Sequence, residues 1–151
     1  MLKGIDQRLS AEIVYALMQM GHGDDLVICD INHPAVTIAK ETTYGRLLDM
    51  AGCDIPTATR AILSLMLLDS FVPAPVKRMQ VVGDPEGVVP IFGKMQKVLD
   101  ASNGAPVLIE ALERFAFYEA AKRAFCIIRT ADSGPYGCFI LKKGVVDLAP
   151  L

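Results

Sequence analysis

The sequence predicts an α/β fold with three layers (αβα), in which helices cover both faces of a largely parallel central sheet. Apolar runs of strand length alternate with helical segments along the chain, and this order is typical of a parallel sheet. Hydrophobic residues make up 52% of the 151 residues, which at this length allows one sizeable core. We expect a single domain over residues 1–151, because no linker, repeat or low-complexity tract interrupts the chain.

The predicted elements follow one another with short turns between them. Ser10 is a suitable N-cap for a helix over residues 11–20, and Gly21 fits the left-handed position that ends a helix. The continuous apolar run of residues 26–30 is expected for a strand covered on both faces. The other predicted helices span 56–68, 88–99 and 114–124. The other predicted strands span 36–39, 76–82, 107–110, 125–130 and 138–142, and the turn between the last two allows an antiparallel pair.

Charge and hydropathy exclude several classes of protein. The net charge is -2 and no stripe of Lys and Arg is present, which argues against a nucleic-acid partner. The first residues carry no apolar stretch typical of a signal peptide. The longest apolar run, residues 62–68, is too short to span a bilayer. We therefore expect a soluble, cytoplasmic protein with no membrane partner.

Composition also predicts self-association and reduced cysteines. Only 21% of the residues are charged, so part of the apolar surface is expected to be covered by other copies of the chain. The four cysteines show no CxxC spacing, and two of them lie inside apolar runs. Reduced core cysteines are favoured over a disulfide pair.

His22 is a candidate acid–base residue in the turn Gly21-His22-Gly23. These glycines follow a predicted helix and precede a strand, the reverse of a dinucleotide-binding fingerprint, and two aspartates follow them. A histidine titrates near neutrality, with an ordinary pKa of ~6.5. A glycine on each side would let the backbone approach a ligand closely. The alternative is a solvent-facing histidine without a chemical role.

Asp30 is a candidate ligand-binding carboxylate because it ends an apolar strand. Ligands of α/β sheets bind beyond the carboxyl ends of strands, and a carboxylate there can accept hydrogen bonds from two neighbouring hydroxyls. Its structural alternative is an aspartate that caps the following loop. Asp30, His22 and His33 also contain the residue types of a two-histidine, one-carboxylate metal site, although their spacing is weak support.

The segment 112–119 places aromatic residues at the start of a helix. Phe117 lies on the face expected to be core, whereas Phe115 and Tyr118 share another face that could line a pocket or an interface. Arg114 is poorly placed for the helix dipole, which suggests a partner elsewhere. Tyr136 stands in a turn between Gly134-Pro135 and Gly137, where a phenol can be exposed and directed.

Taken in order, these motifs resemble those of the ribose pyranase / fucose mutarotase (RbsD/FucU) family, nearer to its fucose mutarotase branch. The similarity runs almost end to end. It is carried by Met1-Leu2-Lys3-Gly4-Ile5, Met20-Gly21-His22-Gly23-Asp24-Asp25 before a strand ending at Asp30, Leu68-Asp69-Ser70-Phe71, Arg114-Phe115-Ala116-Phe117-Tyr118-Glu119, and Tyr136-Gly137 followed by Leu141-Lys142-Lys143-Gly144-Val145.

The resemblance implies a sugar mutarotase that needs no cofactor and no metal. It implies that His22 donates a proton, Asp30 and Arg114 bind the sugar, and the family's Tyr-x-Asn element falls on Tyr136-Gly137-Cys138. Tyr136 is expected to assist catalysis at the anomeric hydroxyl, and all three residues of that element to bind substrate. A thiol at Cys138 lacks the two-way hydrogen bonding of the usual asparagine. The alternative is therefore a sugar-binding protein without catalysis.

The resemblance also implies a toroidal homodecamer with its sites near the boundaries between copies. The expected partner is a monosaccharide, fucose or a related aldose.

Overall fold

Six strands form one mixed sheet in the computed structural model of this protein, which describes residues 2–146. Neighbouring strands pair in parallel except at β6, which runs antiparallel to both of its neighbours. The largely parallel sheet is therefore confirmed. Met1 and residues 147–151, the two ends of the predicted domain, lie outside the described residues. The strands are β1 (Asp25–Cys29), β2 (Leu47–Met50), β3 (Val76–Met79), β4 (Ile109–Leu112), β5 (Cys126–Thr130) and β6 (Cys138–Lys142), in the order β2-β5-β1-β6-β3-β4.

Helices cover both faces of the sheet, as the three-layer prediction requires. They are α1 (Ala11–Gln19), α2 (Ala35–Ala39), α3 (Ile55–Leu63), α4 (Pro90–Asn103) and α5 (Arg114–Lys122). Successive strand residues point to opposite faces. Leu26 and Ile28 of β1 join the core under α1, α3 and α4, whereas Val27 and Cys29 join the core under α2 and α5.

The helix ends follow local capping chemistry. The Ser10 side chain accepts a hydrogen bond from the Ile13 amide at 3.2 Å, so the predicted N-cap of α1 is confirmed. The prediction for Gly21 is wrong, because Met20 ends α1 in an extended conformation and the left-handed glycine of this turn is Gly23, with φ of 83°. Helix α4 runs beyond its predicted end to Gly104, which is left-handed at φ of 71°.

Two predictions for the first half of the chain are wrong. Residues 36–39 form the end of helix α2 rather than a strand, because Ala35, Ile38 and Ala39 bury one helical face after Pro34. The edge strand β2 (Leu47–Met50) was not predicted. Its sequence contains no β-branched or aromatic residue, so it carries little of the usual strand signal.

The second half keeps the predicted order with shifted ends. Helix α3 stops at Leu63 instead of residue 68, because Leu67 and Asp69 exchange backbone bonds with residues 142–144. Strand β3 ends at Met79, and β4 lies two residues later than predicted. The predicted range of β6 is confirmed, but β6 does not pair with β5, since β1 lies between the two strands.

Candidate active site

A cavity of about 260 Å³ lies at the edge of the sheet where the five parallel strands end and β6 begins. We call this the Asp30 edge. Such edges are where ligands of α/β sheets bind. Four of the predicted site residues line the cavity together with other polar and apolar side chains. The lining residues are Asp30, Asn32, His33, Met79, Val82, Arg114, Tyr118, Pro135, Tyr136 and Cys138.

Asp30 organises the floor of this cavity. It is only 3% exposed, and its Oδ1 accepts hydrogen bonds from the amides of Asn32 at 2.8 Å and His33 at 3.1 Å. Its Oδ2 accepts a hydrogen bond from the Gly137 amide at 3.0 Å. Burial raises the pKa of the Asp30 carboxyl, and the three amide bonds oppose that shift. The carboxylate is therefore held in one orientation before any ligand arrives.

Gly137 contributes to the site through its backbone. Its carbonyl accepts a bond from the Asp30 amide at 2.8 Å, so each residue binds the other. A Cβ at this position would collide with the Ile55 side chain and lie 3.2 Å from the Asp30 Cβ. Only glycine permits this close approach. Both backbone groups of Gly137 are thus engaged with Asp30.

Tyr136 is placed at the cavity wall by an unusual backbone conformation. Its φ is 60°, and no other non-glycine residue among those described has a positive φ. Such strain persists where the surroundings impose it, and it is frequent at functional sites. The Tyr136 hydroxyl accepts a hydrogen bond from the Val82 amide at 3.1 Å, which leaves its own proton free to donate.

Cys138 is buried beside Asp30 and His33. Its Sγ lies 3.7 Å from Asp30 Oδ2 and 3.4 Å from His33 Nδ1. Burial raises the pKa of the thiol well above its ordinary value and lowers the pKa of the imidazole to about 4. Near neutral pH both side chains are therefore uncharged.

Arg114 and Tyr118 reach the same cavity from the start of α5. The Arg114 guanidinium lies over the Phe115 ring, 4.7 Å from its centroid. No carboxylate pairs with it among the described residues. Tyr118 is half-buried and contacts the His33 ring edge-on, with centroids 5.4 Å apart. The expected aromatic face is thus split, since Tyr118 lines the cavity while Phe115 is 61% exposed.

His22 lies at the other edge of the sheet. It precedes β1, whereas Asp30 follows it, and the five residues of that strand span about 13 Å between their terminal Cα atoms. We call this second region the His22 edge. His22 is therefore not brought together with Asp30, Arg114 and Tyr136 within one chain.

A buried carboxylate orients the His22 ring. His22 Nε2 lies 3.1 Å from Asp69 Oδ1, and its side chain is 47% exposed while that of Asp69 is 3% exposed. Asp69 Oδ1 also accepts a bond from the Phe71 amide, which is the main cause of its lowered pKa, and the His22 contact adds to it. The edge of the Phe71 ring packs against the imidazole at 5.3 Å. The imidazole is thus held in one orientation by Asp69 and Phe71 while one side of it stays exposed.

Within one chain, the geometry does not bring the three residues of the metal alternative together. His22 is separated from Asp30 and His33 by the length of β1. Within residues 2–146, no group of three His, Cys, Asp or Glu side chains is placed to hold a metal ion. All four cysteines are buried and free, as predicted.

Sequence reasoning missed two polar residues of these regions. Asp69 was only part of a family motif, and His33 was considered only as a metal ligand. Asp69 lies 47 residues from His22, and Cys138 lies 105 residues from His33. No local pattern predicts such pairs, and the sequence marks Asp69 only through the motif Leu68-Asp69-Ser70-Phe71.

Comparison with known proteins adds three findings. The family model described as the RbsD / FucU transport protein family matches residues 3–146. Fucose mutarotase of Mus musculus is 40% identical over 152 residues, which cover 99% of this chain and 97% of the relative. L-fucose mutarotase of Actinobacillus pleuropneumoniae is 36% identical and covers 98% of this chain and 99% of the relative.

A solved structure shows the same fold. The fucose mutarotase from Streptococcus pneumoniae, in complex with L-fucose, superposes with a TM-score of 0.87 at 35% identity, covering 97% of this chain and 100% of that one. Separately, none of the helices within residues 2–146 is long and apolar enough to cross a membrane.

Proposed function

This chain belongs to the RbsD/FucU family, and we propose that it is a mutarotase that interconverts the α and β anomers of L-fucose or a closely similar aldose. The observation that carries this proposal is the preorganised Asp30 edge, where a fixed carboxylate, a guanidinium and a phenol line one cavity of about 260 Å³. Relatives named fucose mutarotase match nearly the whole chain.

The proposed reaction needs only positioned acid–base groups. Anomer exchange opens the hemiacetal, turns the carbonyl and closes the ring again, so no C–H bond breaks. In the opening step a proton reaches the ring oxygen while the anomeric hydroxyl loses one. We assign the first transfer to His22, while Asp30 and Arg114 hold the remaining hydroxyls. Tyr136 assists the second transfer as a relay, since its free hydroxyl proton passes to water as it takes the anomeric proton. Gly137 and Cys138 complete the binding floor. Such groups accelerate reactions by roughly 10²–10⁴-fold.

Because His22 and Asp30 lie at opposite edges, the complete site in this proposal joins two copies of the chain. His22 of one copy would enter the Asp30 edge of its neighbour. Head-to-tail contacts of this kind form a ring when the rotation between copies closes, as in the homodecamer that the family resemblance implies. The cytoplasmic location remains a prediction from the sequence.

Exposed apolar residues beside both regions support this assembly. Phe71, next to His22, is 73% exposed, while Phe115 and Val82 flank the Asp30 edge and are 61% and 52% exposed. A larger groove of about 610 Å³ runs along α1 and is lined mainly by apolar side chains such as Met18. This groove lacks the converging polar groups of the Asp30 edge, so it suits contact between copies better than sugar binding.

Saturation-transfer NMR on L-fucose and D-ribose tests the activity directly. The protein is expected to speed exchange between the anomer signals of L-fucose, and an unchanged exchange rate with a folded protein would exclude mutarotase activity on that sugar. If L-fucose binds without faster exchange, the alternative of a non-catalytic sugar-binding protein is correct instead. The thiol of Cys138 is the feature that favours that alternative.

A mixing experiment tests whether two copies share a site. His22→Ala and Arg114→Ala are each expected to be inactive alone. After co-expression, about one quarter of the sites would combine His22 of one copy with Arg114 of another, and activity would return to that extent. No recovery in a mixed oligomer would show that each chain builds its own site.

A further inference from the structure

Two nitrogen atoms at the Asp30 edge are buried without a hydrogen-bond partner. They are His33 Nε2 and Arg114 Nε, and no other such side-chain nitrogen or oxygen atom occurs in residues 2–146. Both residues line the same cavity. An unsatisfied buried polar group is costly, so it requires an explanation. A ligand that supplies acceptor oxygens at this place provides one for both atoms.

The position of the His33 proton follows from its neighbours. The imidazole is 7% exposed, and its low pKa keeps it neutral, with one N–H donor and one acceptor nitrogen. The Cys138 thiol lies 3.4 Å from His33 Nδ1 and 3.7 Å from Asp30 Oδ2. Oδ1 accepts two of the three amide bonds and Oδ2 only that of Gly137, so both Oδ2 and Nδ1 can accept the thiol proton. The shorter distance assigns that proton to Nδ1. His33 then carries its own proton on Nε2.

We propose that His33 is a specificity-determining residue whose Nε2–H donates a hydrogen bond to a hydroxyl oxygen of the bound sugar, and that Cys138 positions this donor by fixing the tautomer. The inference deepens the proposed function and rests on it for the identity of the sugar. Tyr118 lies half-buried on the cavity wall, with its ring centroid 5.4 Å from that of the imidazole, so it borders the proposed contact.

This pair explains how the site works without the family's usual asparagine. An amide side chain both donates and accepts, whereas a thiol does either only weakly. In this chain the two tasks are divided, because His33 supplies the strong donor and Asp30 the strong acceptor. The position of Nε2, rather than residue 138 itself, therefore determines where a fitting sugar must carry an acceptor oxygen.

Nitrogen NMR of ¹⁵N-histidine-labelled protein tests the tautomer and the contact without measuring activity. In the wild-type protein, His33 is expected to be the Nε2–H tautomer, and added L-fucose should shift its Nε2 resonance. Cys138→Ala should give a mixture of tautomers, while Cys138→Ser, which keeps a donor, should not. An Nδ1–H tautomer in the wild type, or an Nε2 signal unmoved at saturating L-fucose, would overturn the inference.

Substitutions at His33 test specificity. Asn places its amide nitrogen near the Nδ1 position, Gln places it near Nε2, and Phe keeps only the ring. We expect KM for L-fucose to rise about tenfold for His33→Asn and His33→Phe, with a smaller change in kcat, and Gln to recover most of that loss. Equal KM values in all three variants and the wild type would refute the role of Nε2.

These results separate the two levels of the proposal. Wild-type protein that binds L-fucose without exchanging its anomers fails as a mutarotase, while the shift of His33 Nε2 still decides the present inference. Normal anomer exchange with an unmoved Nε2 does the opposite. Should His33→Phe fail to fold, as judged by its thermal transition, the NMR measurement on wild-type protein remains decisive.

Discussion

The Asp30 edge and the His22 edge differ in how far their polar side chains are exposed to solvent. Asp30 is enclosed, and three backbone amides hold its carboxylate. His22 is half exposed, and one buried carboxylate holds its ring. Binding groups gain from rigid placement, since their desolvation has already occurred during folding. In the proposed mechanism His22 reaches a sugar held by a neighbouring copy, which requires a ring that is oriented but open on one side.

The largest effect that separates the two regions is expected from His22→Ala. Anomer exchange should fall by roughly 10²–10⁴-fold, as for loss of an acid–base group. The thermal transition should move little, because the half-exposed ring is removed while buried Asp69 keeps its bond from the Phe71 amide. Saturation-transfer NMR and calorimetry on the same preparation measure the two quantities. Full activity in this variant would remove His22 from the mechanism.

The buried region should respond to pH through His33. Its pKa of about 4 in the native state lies below its ordinary value of 6.5, so between those pH values the unfolded chain binds a proton that the native chain does not. The free energy of unfolding should therefore fall as the pH drops from 6.5 to about 4, by up to ~3 kcal/mol, and level off below.

His33→Phe is the matched control for this pH effect, because it keeps an aromatic ring that does not titrate. Among the groups facing His33, Asp30 has a raised pKa and contributes with the opposite sign, since its native form holds a proton to higher pH. Cys138 and Tyr118 titrate well above this range. Urea unfolding at a series of pH values should show that the free energy of unfolding falls less on acidification in His33→Phe than in the wild type. Identical curves would mean that another group is responsible for the titration.

Asp30→Asn should weaken both structure and binding. The amide nitrogen that replaces one carboxylate oxygen faces a backbone N–H, so at least one donor loses its acceptor, at a cost of ~2 kcal/mol. Sugar affinity should fall as well, unlike in His22→Ala. Urea unfolding and an NMR titration with L-fucose measure the two effects, and unchanged stability would contradict the organising role of Asp30.

Asp69→Asn is expected to have the smallest effect of this series. The variant keeps the shape of Asp69 and a bond to the Phe71 amide, but it no longer stabilises a charged His22. We expect kcat to fall about tenfold with KM nearly constant, because the ring is oriented less firmly. A purely structural role of Asp69 would lower the free energy of unfolding and leave kcat of the folded variant unchanged.

Much of the fold could be predicted because it depends on local patterns. Strands β1 and β6 are dense apolar runs bounded by turn formers, and Ser10 is a recognisable cap. Residues 35–39 and β2 could not be assigned, since four or five residues are too few to distinguish the helical period from the strand period. The predicted pairing of β6 with β5 was wrong for a different reason, because the order of strands depends on packing of the whole sheet.

The residues of the candidate site also differ in how far the sequence predicts them. Asp30 was predictable from its place after a strand, and the role of Arg114 came from the family resemblance. Asp69 and His33 take their positions from chain segments far away in sequence, and the burial that sets the low pKa of His33 comes from α5. Only tertiary structure contains that information.

Strand β6 connects the Asp30 edge to the His22 edge. Around its start, Gly137 and Cys138 lie beside Asp30. At its end, the Lys142 carbonyl accepts a hydrogen bond from the Asp69 amide. The next carbonyl, that of Lys143, accepts one from the Gly23 amide in the His22 turn. A slip of one residue would turn every β6 side chain to the opposite face, so it would dismantle both regions at once. Insertions or deletions within β6 should therefore be far less tolerated than in the loops on either side.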